Sequence, residues 1–432
     1  FQAEDGIRDL VRSRGLGDVY KRQVLDNIIL GTQPIWNFRL QRKEAANKIM
    51  DLGSRFGLEV DPNLRVAELS MGERQRVEIL KALYRNASIL ILDEPTAVLT
   101  PQESRTLFKT LRQLLKDGLS IIFISHKLAE VLEVSDRIAV LRDGKLVLEE
   151  KVSETSEKML AKAMVGRSFK MPIRKETTVG ESLLALENVS VSTPERVSVL
   201  DRASFSVNSR EVVGLAGISG NGQRILADVI NGMQSPTSGK VFLYGKEIKR
   251  FNPREMLMKK VGRIPEDRQG FGVVGDMNLE ENAITEVYKN KDYSKLGFLN
   301  LKNRNNFAEK IAHEFDVRGV KKNSPVRLLS GGNMQKLILG RVLMQKPKLI
   351  LAHQPARGLD IGAASFVYEL LLDAKMKDCG VLLISEDLEE LLRISDRILV
   401  IHRGKIIEAG KAGELSITNI GLLMAGRQAD AS

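Results

Sequence analysis

Two adjacent carboxylates follow an apolar run and offer hydrolytic chemistry. Residues 88–92 are mostly apolar, and Asp93 and Glu94 come directly after them. A carboxylate at the exposed end of a strand suits Mg²⁺, which prefers hard oxygen ligands. A second carboxylate beside it can polarise or deprotonate an attacking water molecule. The pair therefore predicts a metal ligand, Asp93, next to a general base, Glu94, although acids at strand ends are common and the pattern is weak by itself.

Two serine–glycine clusters are candidates for binding a phosphate. Ser70 and Glu73 form an S-x-x-E capping box at a predicted helix start, and Ser330 with two following glycines occupies the same place in a matching stretch. Small residues at a helix N-terminus leave backbone amides free at the positive end of the helix dipole. Such a site can hold a terminal phosphate, and the alternative is an ordinary helix cap.

A glycine-rich loop, residues 217–224, lies between a predicted strand over 211–216 and a helix. It matches the template G-x-x-x-x-G-K-[ST] at its glycines, so its amides can still form an anion nest. However, Gln223 replaces the lysine and Arg224 replaces the hydroxyl residue that binds Mg²⁺. Each lost charge-assisted contact is worth about 1.5–3 kcal/mol. We expect severely weakened triphosphate binding, with Arg224 still able to reach a phosphate. The candidate residues of this loop are Gly217, Gly220, Asn221, Gly222, Gln223 and Arg224.

The elements that must position these residues alternate between strands and helices. Residues 88–92 and 119–124 read as parallel strands buried on both faces. Between them, residues 102–116 have helical spacing, with Leu107, Leu111 and Leu114 on one face. This alternation predicts an α/β fold with a parallel sheet.

An internal repeat with an offset of 260 residues sets the domain organisation. Ser70 corresponds to Ser330, and Asp136 corresponds to Asp396, each inside a matching stretch. The predicted segments are a leader 1–23, a first copy 24–166, a linker 167–182, a second copy 183–426 and a tail 427–432. The equivalent of Gly222 in the first copy would precede Phe1, so we expect the first copy to lack its front.

The leader has no secondary-structure periodicity and no signal-peptide core. It resembles translated read-through of a sequencing adapter, and a genuine flexible extension is the alternative.

Composition excludes several classes of protein. The 432 residues are 28% charged and 43% hydrophobic, as in ordinary soluble globular proteins. The single cysteine, Cys379, cannot form an intrachain disulfide and favours a reducing compartment. No apolar run reaches the length of about 18–20 residues that spans a bilayer. The net charge is +11, but basic and acidic residues are interleaved along the chain and aromatic residues are scarce. No nucleic-acid partner is therefore expected. The four histidines have no metal-site spacing.

The motifs together resemble those of ATP-binding-cassette ATPases. LSMGERQR and LSGGNMQK resemble the family's signature motif, ILILDEPTAVLT resembles the Walker B strand with its D-loop, and Ser125-His126 matches the switch histidine. The resemblance covers residues 24–426. It implies two tandem nucleotide-binding domains of the P-loop NTPase fold, each with a helical subdomain, and ATP and Mg²⁺ as cofactors. It also implies catalytic roles for Glu94 and His126, Mg²⁺ binding by Asp93, and nucleotide contacts from Ser70, Gly72, Ser330, Gly331, Gly332 and Gln335.

The resemblance implies two unequal sites. Cassettes of this family pack head to tail, so the first copy's acids and His126 act with the second copy's signature. In the second copy His353, Gln354 and Glu386 stand where Asp93, Glu94 and His126 stand in the first. Loss of these groups is expected to abolish hydrolysis there. The segment 265–268 is a variant of the family's glutamine loop without its glutamine.

Tandem cassettes resemble the ATPase subunits of bacterial importers for simple sugars and nucleosides. Such a subunit lies on the cytoplasmic face of the membrane, bound to permease subunits and indirectly to an extracytoplasmic substrate-binding protein. The stretch 352–360, which lacks the Walker B acids, resembles that of nucleoside-type importers and favours a nucleoside over a sugar as the imported molecule. The alternatives are a soluble tandem-cassette translation factor and a non-catalytic cassette protein.

Overall fold

The computed structural model describes residues 22–32, 41–96, 99, 101–142, 144–165, 171–192, 198–319 and 323–426. The chain divides into two compact units after Arg167. The predicted leader up to residue 21, residues 167–170 of the predicted linker, the predicted tail, and Ala97, Val98 and Thr100 of the D-loop lie outside the described residues.

The first unit contains two small sheets and six described helices. Strands β1 and β2 form a parallel pair, and β3 and β4 form an antiparallel pair. The strands are β1 (Ile89–Asp93), β2 (Ser120–Ile124), β3 (Arg137–Arg142) and β4 (Lys145–Lys151). The helices are α1 (Val24–Ile29), α2 (Arg42–Phe56), α3 (Met71–Tyr84), α4 (Pro101–Lys116), α5 (Leu128–Val134) and α6 (Glu157–Val165). Leu107, Leu111 and Leu114 of α4 are buried in the unit's apolar core, as their helical spacing predicts.

Two residues of the predicted leader are described, and both contact this unit. Gln23 forms a β-bridge with Arg65, and the amide of Val66 donates to the carbonyl of Arg22 at 3.1 Å. For residues 1–21 the leader remains a prediction.

The second unit is built on a six-stranded sheet. Its order is β10-β13-β14-β7-β15-β16, parallel except for β16, and a four-stranded antiparallel sheet has the order β6-β5-β8-β9. The strands are β5 (Ser182–Ser192), β6 (Ser198–Asn208), β7 (Val212–Ala216), β8 (Ser238–Leu243), β9 (Lys246–Glu247), β10 (Val261–Ile264), β11 (Ser294–Lys295), β12 (Phe298–Leu299), β13 (Leu349–His353), β14 (Gly380–Ser385), β15 (Arg397–His402) and β16 (Lys405–Lys411). The helices are α7 (Gln223–Ile230), α8 (Pro253–Met258), α9 (Leu279–Ile284), α10 (Leu301–Glu314), α11 (Gly331–Leu343), α12 (Ile361–Met376), α13 (Leu388–Ile394) and α14 (Ile417–Met424).

Apolar cores cover both faces of the six-stranded sheet. Alternate residues of each strand point to opposite faces. Along β13, for example, Leu349 and Leu351 enter the core shared with β5, β6 and α7, whereas Ile350 enters the core shared with α11 and α12. The predicted α/β fold with a parallel sheet is confirmed.

The pairing register of β1 with β2 is the same as that of β13 with β14 in the repeat. Ile89 pairs with Ser120 in β1–β2, and Leu349 pairs with Gly380 in β13–β14, each displaced by 260 residues. The environments differ, however. All of β14 is buried, whereas β1 and β2 expose every second side chain.

The prediction that β1 and β2 are buried on both faces is therefore wrong. Four isoleucines on one face are between 46% and 63% exposed: Ile89, Ile91, Ile122 and Ile124. Their equivalents in the second unit, Leu349, Leu351, Leu382 and Ile384, lie in the core formed with β5, β6, β8 and α7. The residues described in the first unit include no counterpart of those covering elements.

Residues 171–181, predicted as linker, pack onto the second unit. Lys375 of α12 is 1% exposed, and its ammonium donates to the carbonyl of Lys175 at 2.8 Å and to the Asp396 carboxylate at 2.7 Å. Asp396 also accepts from the Val212 amide at 2.8 Å. A buried charge needs such pairing, so this contact fixes the segment beside the amino-terminal ends of β7 and β15.

Candidate functional site

Glu94 lies just past the end of β1 in a constrained backbone conformation. Its φ is +47°, a left-handed value that is unfavourable for a residue with a Cβ. Its amide donates to the carbonyl of Ile124 on β2 at 2.9 Å, which prolongs the parallel pairing by one residue. Asp93, the last residue of β1, is exposed at the same edge.

Glu94 and His126 meet because both follow the carboxyl ends of neighbouring parallel strands. One carboxylate oxygen of Glu94, Oε1, lies 2.8 Å from His126 Nδ1 and accepts from the His126 amide at 3.1 Å. The other oxygen, Oε2, is buried and takes no hydrogen bond within the described part of the chain. The contact thus orients the carboxylate and leaves one of its oxygens without a hydrogen-bond partner in the described part of the chain.

The first signature helix, α3, starts with the predicted capping box. The Ser70 hydroxyl accepts from the Glu73 amide at 3.3 Å, and Glu73 accepts from the Ser70 amide at 2.8 Å. The Ser70 hydroxyl also donates to the Glu73 carboxylate at 2.8 Å, and this bond first, then the bond from the Ser70 amide, lowers the pKa of the Glu73 carboxyl. At Gly72 a Cβ would lie 3.0 Å from Glu103 Oε1, so there is little room for a side chain.

The second signature helix, α11, has a simpler cap. Ser330 Oγ accepts from the Asn333 amide at 3.4 Å and from the Asn333 side chain at 2.9 Å. Gly331 and Gly332 follow at the accessible helix start. Gln335, in contrast, is fully buried, and its Oε1 accepts from Arg268 at 2.8 Å. Its side chain therefore faces the interior of the unit.

The glycine-rich loop in the second unit keeps the backbone shape of a phosphate nest. Gly220 and Gly222 have φ of +89° and +111°, and a Cβ at Gly222 would lie 2.7 Å from the Val199 carbonyl oxygen. Gln223 is buried at the start of α7, and its side-chain amide, Nε2, donates to the Ile218 carbonyl at 2.8 Å. The side chain that replaces the lysine is thus engaged within the loop.

Asn221 joins this loop to the turn between β15 and β16. Its side-chain oxygen accepts from the Arg403 amide at 2.7 Å, and its carbonyl accepts from Gly404 at 2.9 Å. A Cβ at Gly217 would lie 2.5 Å from Ile401, so this glycine allows the loop to approach the strand closely. Arg224 is exposed, with its guanidinium 5.8 Å from the ring centre of Phe271.

His353 and Gln354 occupy the acid positions in the second unit with the same backbone geometry. Gln354 has φ +49°, and its amide donates to the Ile384 carbonyl at 2.8 Å, as Glu94 does in the first unit. Burial lowers the pKa of His353, with Arg357 and Arg224 adding to this effect against the opposing charge of Glu266. The imidazole and the amide at these positions provide no carboxylate, either to bind Mg²⁺ or to orient an attacking water molecule.

Glu386, the counterpart of His126, lies beside the glycine-rich loop. Burial raises the pKa of Glu386, while the nearby Arg357 cation and the hydroxyl and amide of Ser219 lower it. A carboxylate that faces loop amides occupies the kind of position a phosphate oxygen would take. This placement disfavours an anionic ligand in that loop.

Sequence reasoning missed the ion pairs around Glu266. Arg357 Nη1 lies 2.5 Å from Glu266 Oε1, and His353 Nε2 lies 3.6 Å from Glu266 Oε2. Arg268, which also donates to Gln335, has its pKa lowered to about 10 by burial and by Arg357. In the sequence, the run of three charged residues at 266–268 is the feature that could have indicated these ion pairs.

The described residues contain no group of three or more His, Cys, Asp or Glu side chains arranged to hold a metal ion. Among the described helices, none is long and apolar enough to span a membrane.

Comparison with known proteins decides the family. The ABC transporter family model matches residues 12–97 and 200–357, more than half of the chain. The chain belongs to the ABC transporter family. The first match begins inside the segment predicted as a leader, and the second includes the glycine-rich loop and the second signature.

Several curated proteins are similar to the chain over most of its length. The guanosine import ATP-binding protein NupO of Bacillus subtilis is 41% identical over 404 residues, 93% of this chain and 79% of that protein. The nucleoside import ATP-binding protein NupA of Lactococcus lactis is 40% identical over 93% of this chain and 80% of that protein. The glucose import ATP-binding protein TsgD13 of Haloferax volcanii is 41% identical over 88% of this chain and 70% of that protein.

Proposed function

We propose that the protein is the ATP-hydrolysing subunit that energises import of a nucleoside or simple sugar, and that the working acids are those of the first cassette. The observation that carries this proposal is the contact between Glu94 and His126, which orients one carboxylate oxygen and leaves the other without a partner within the described residues. The second cassette has His353, Gln354 and Glu386 at the equivalent positions.

The residues of the first cassette fit Mg²⁺ and a hydrolytic water. Asp93 provides an exposed carboxylate at the strand end, which is the type of ligand that Mg²⁺ takes from proteins. ATP, when bound, supplies the phosphoanhydride bond that is broken. Glu94 takes a proton from the water that attacks the terminal phosphorus as the phosphoanhydride bond breaks, and His126 holds the carboxylate in place.

The residues of the second cassette do not fit the same chemistry. Gln223 is hydrogen bonded within its own loop, and the Glu386 carboxylate faces Ser219 of that loop. The Glu386 carboxyl thus engages a backbone amide of the loop that a triphosphate would need. We therefore assign no hydrolytic step to this cassette.

The signature residues are proposed to contact the nucleotide through their amides. Ser330, Gly331 and Gly332 begin a helix of 13 residues, whose positive end favours an anion. We assign them to the nucleotide that Asp93, Glu94 and His126 hydrolyse, and we assign Ser70 and Gly72 to the degenerate site. Gln335 is proposed to act by holding Arg268 rather than through direct contact.

The partners follow from the names of the relatives. Two similar proteins are named for import of guanosine or nucleosides and one for import of glucose. A nucleoside is our preferred substrate class. The subunit would bind membrane permease subunits on the cytoplasmic face and act indirectly with a substrate-binding protein.

Uptake in a strain that lacks the gene tests these assignments. The complete gene should restore uptake of labelled guanosine more than of labelled glucose. Glu94→Gln should reduce uptake about 10²–10⁴-fold, as expected for loss of a general base. The matched changes Gln354→Ala and Glu386→Ala should have little effect. If Gln354→Ala were as damaging as Glu94→Gln, the first cassette would not be the working one.

The signature assignment has its own comparison. Ser330→Arg places a bulky cation at the start of α11 and should stop uptake, whereas Ser70→Arg should be milder. Melting temperatures of both variants control for folding. A more harmful Ser70→Arg at unchanged stability would reverse the assignment.

A further inference from the structure

A short hairpin in the second unit has an apolar residue where the backbone disfavours one. Leu296 and Gly297 form the two-residue turn between β11 and β12, with φ of +52° and +86°. Turns with two positive φ values favour Asn, Asp and Gly, because a Cβ crowds the following carbonyl oxygen in this region. Local conformation therefore gives no reason for a leucine at this position.

The folded unit does not bury this leucine either. Leu296 is 91% exposed and Phe298 is 81% exposed, and Leu299 and Leu301 are exposed beside them. The hairpin is held from its other side, where the Tyr293 ring packs on Phe307 with centres 5.4 Å apart and Asn300 donates to the Tyr293 carbonyl at 2.8 Å. These contacts hold the hairpin without Leu296 and Phe298. A run of large exposed apolar side chains that does not stabilise the fold marks an interaction surface.

Basic residues flank the apolar tip on both sides along the chain. Residues 288–304 contain five basic side chains and one acidic side chain, Asp292. The basic residues are Lys289, Lys291, Lys295, Lys302 and Arg304. Within the described residues, none of them forms an ion pair with a carboxylate. The tip thus combines exposed apolar groups with cations that are free to meet an anionic surface.

We propose that this hairpin, residues 294–301, is a lipid-binding surface that rests on an anionic membrane. Leu296 and Phe298 enter the boundary between headgroups and acyl chains, and the surrounding lysines pair with lipid phosphates. Charge complementarity favours lipid over a second copy of this chain, because two copies of the hairpin would bring like charges together. The contact goes beyond the proposed function, which requires only docking onto permease subunits.

Co-sedimentation of the purified chain with vesicles tests the proposal without nucleotide. The chain should pellet with vesicles of phosphatidylcholine and phosphatidylglycerol, and much less with phosphatidylcholine alone. Added salt should weaken binding, since it screens the lysines. The double variant Leu296→Asn/Phe298→Thr should bind the mixed vesicles about tenfold more weakly or worse, because two buried apolar groups are lost.

The double variant is chosen to keep the fold. Asn accepts a positive φ at the turn, and Thr suits a strand. Its melting temperature should therefore equal or exceed that of the unmodified chain. Ile407→Thr is the matched control, since Ile407 is an exposed apolar strand residue of the same unit outside the hairpin, and it should bind as the unmodified chain does.

Three outcomes would overturn the proposal. The first is equal binding by the double variant and the unmodified chain. The second is that the unmodified chain does not bind anionic vesicles. If it then binds only vesicles that contain permease subunits, the surface belongs to a protein partner. The third is self-association that depends on Leu296 and Phe298, which would assign it to a second copy.

Discussion

At the scale of single residues, the two cassettes differ in chemistry on the same backbone. Glu94 and Gln354 share a left-handed φ and the same amide hydrogen bond to the neighbouring strand. The strained conformation therefore persists in the second cassette without the carboxylate. Only the side chain decides whether the position can take a proton from water.

Glu390 is a second residue whose side chain determines a measurable property. It is buried beneath β14, where it accepts from the Ser385 hydroxyl, and burial together with the nearby Asp387 carboxylate raises its pKa to about 8. Because the folded state holds this proton more tightly than the unfolded state, the contribution to stability is complete below the ordinary pKa of about 4.5 and is lost as pH rises through about 8.

We predict that the free energy of unfolding of the second unit falls between about pH 5 and about pH 8 through this group. Glu390→Gln, which cannot ionise, should flatten that fall. Urea titrations of the unmodified chain and the variant across this range measure the difference. An unchanged pH dependence in the variant would show that Glu390 ionises normally in the fold.

At the scale of elements, the signature helices begin with different caps. Helix α3 has a reciprocal capping box of Ser70 and Glu73, whereas α11 has Ser330 with Asn333 at the third position. Only the first cap couples helix formation to an ionisable side chain.

We predict that Ser70→Ala raises the Glu73 pKa toward its ordinary value, because the hydroxyl bond is the largest cause of its depression. The same change should destabilise the first unit by about 0.5–2 kcal/mol. Side-chain NMR titration and denaturant unfolding measure the two effects. Ser330→Ala is the matched control and should leave the Glu73 titration unchanged. A Glu73 pKa that does not move in Ser70→Ala would exclude the coupling.

At the scale of the whole molecule, the units differ in how well their equivalent strands are covered. The β13–β14 pair lies within a six-stranded sheet with an apolar core on each face. The β1–β2 pair forms a two-stranded sheet with one exposed face in the described part of the first unit. Burial of apolar surface contributes about 25 cal/mol per Å², so this difference bears directly on stability.

We predict slower amide hydrogen exchange in β13–β14 than in β1–β2, since opening a doubly covered strand exposes more apolar surface. Exchange followed by mass spectrometry on peptides from residues 89–93 and 349–353 makes the comparison at matched positions. Equal protection of the two peptides would mean that the exposed face of the first unit is covered in solution.

The sequence of the whole chain also leads to a prediction about its ATPase activity. None of its 432 residues lies in a G-x-x-x-x-G-K-[ST] sequence, and the matching loop has Gln223 in place of lysine. We predict that the purified chain hydrolyses ATP no faster than background in a phosphate-release assay. A Mg²⁺-dependent rate that falls in Glu94→Gln would show that another cation replaces the lysine.

The sequence by itself determined the repeat, the α/β class and the identities of the acids, histidine and glycines. These features depend on local patterns, such as apolar runs that end in carboxylates and a capping serine three residues before a glutamate. The 260-residue offset also predicts the matching register of β1–β2 and β13–β14.

Only the tertiary structure decided which side chains meet and which faces are covered. Glu94 and His126 are 32 residues apart in sequence, and parallel pairing of their strands brings them to 2.8 Å. Gln335 lies within the second signature but is buried against Arg268, and Glu386 faces the glycine-rich loop. The apolar pattern of β1 does not reveal its exposed face either. Burial and pairing depend on elements distant in sequence, so no local pattern contains that information.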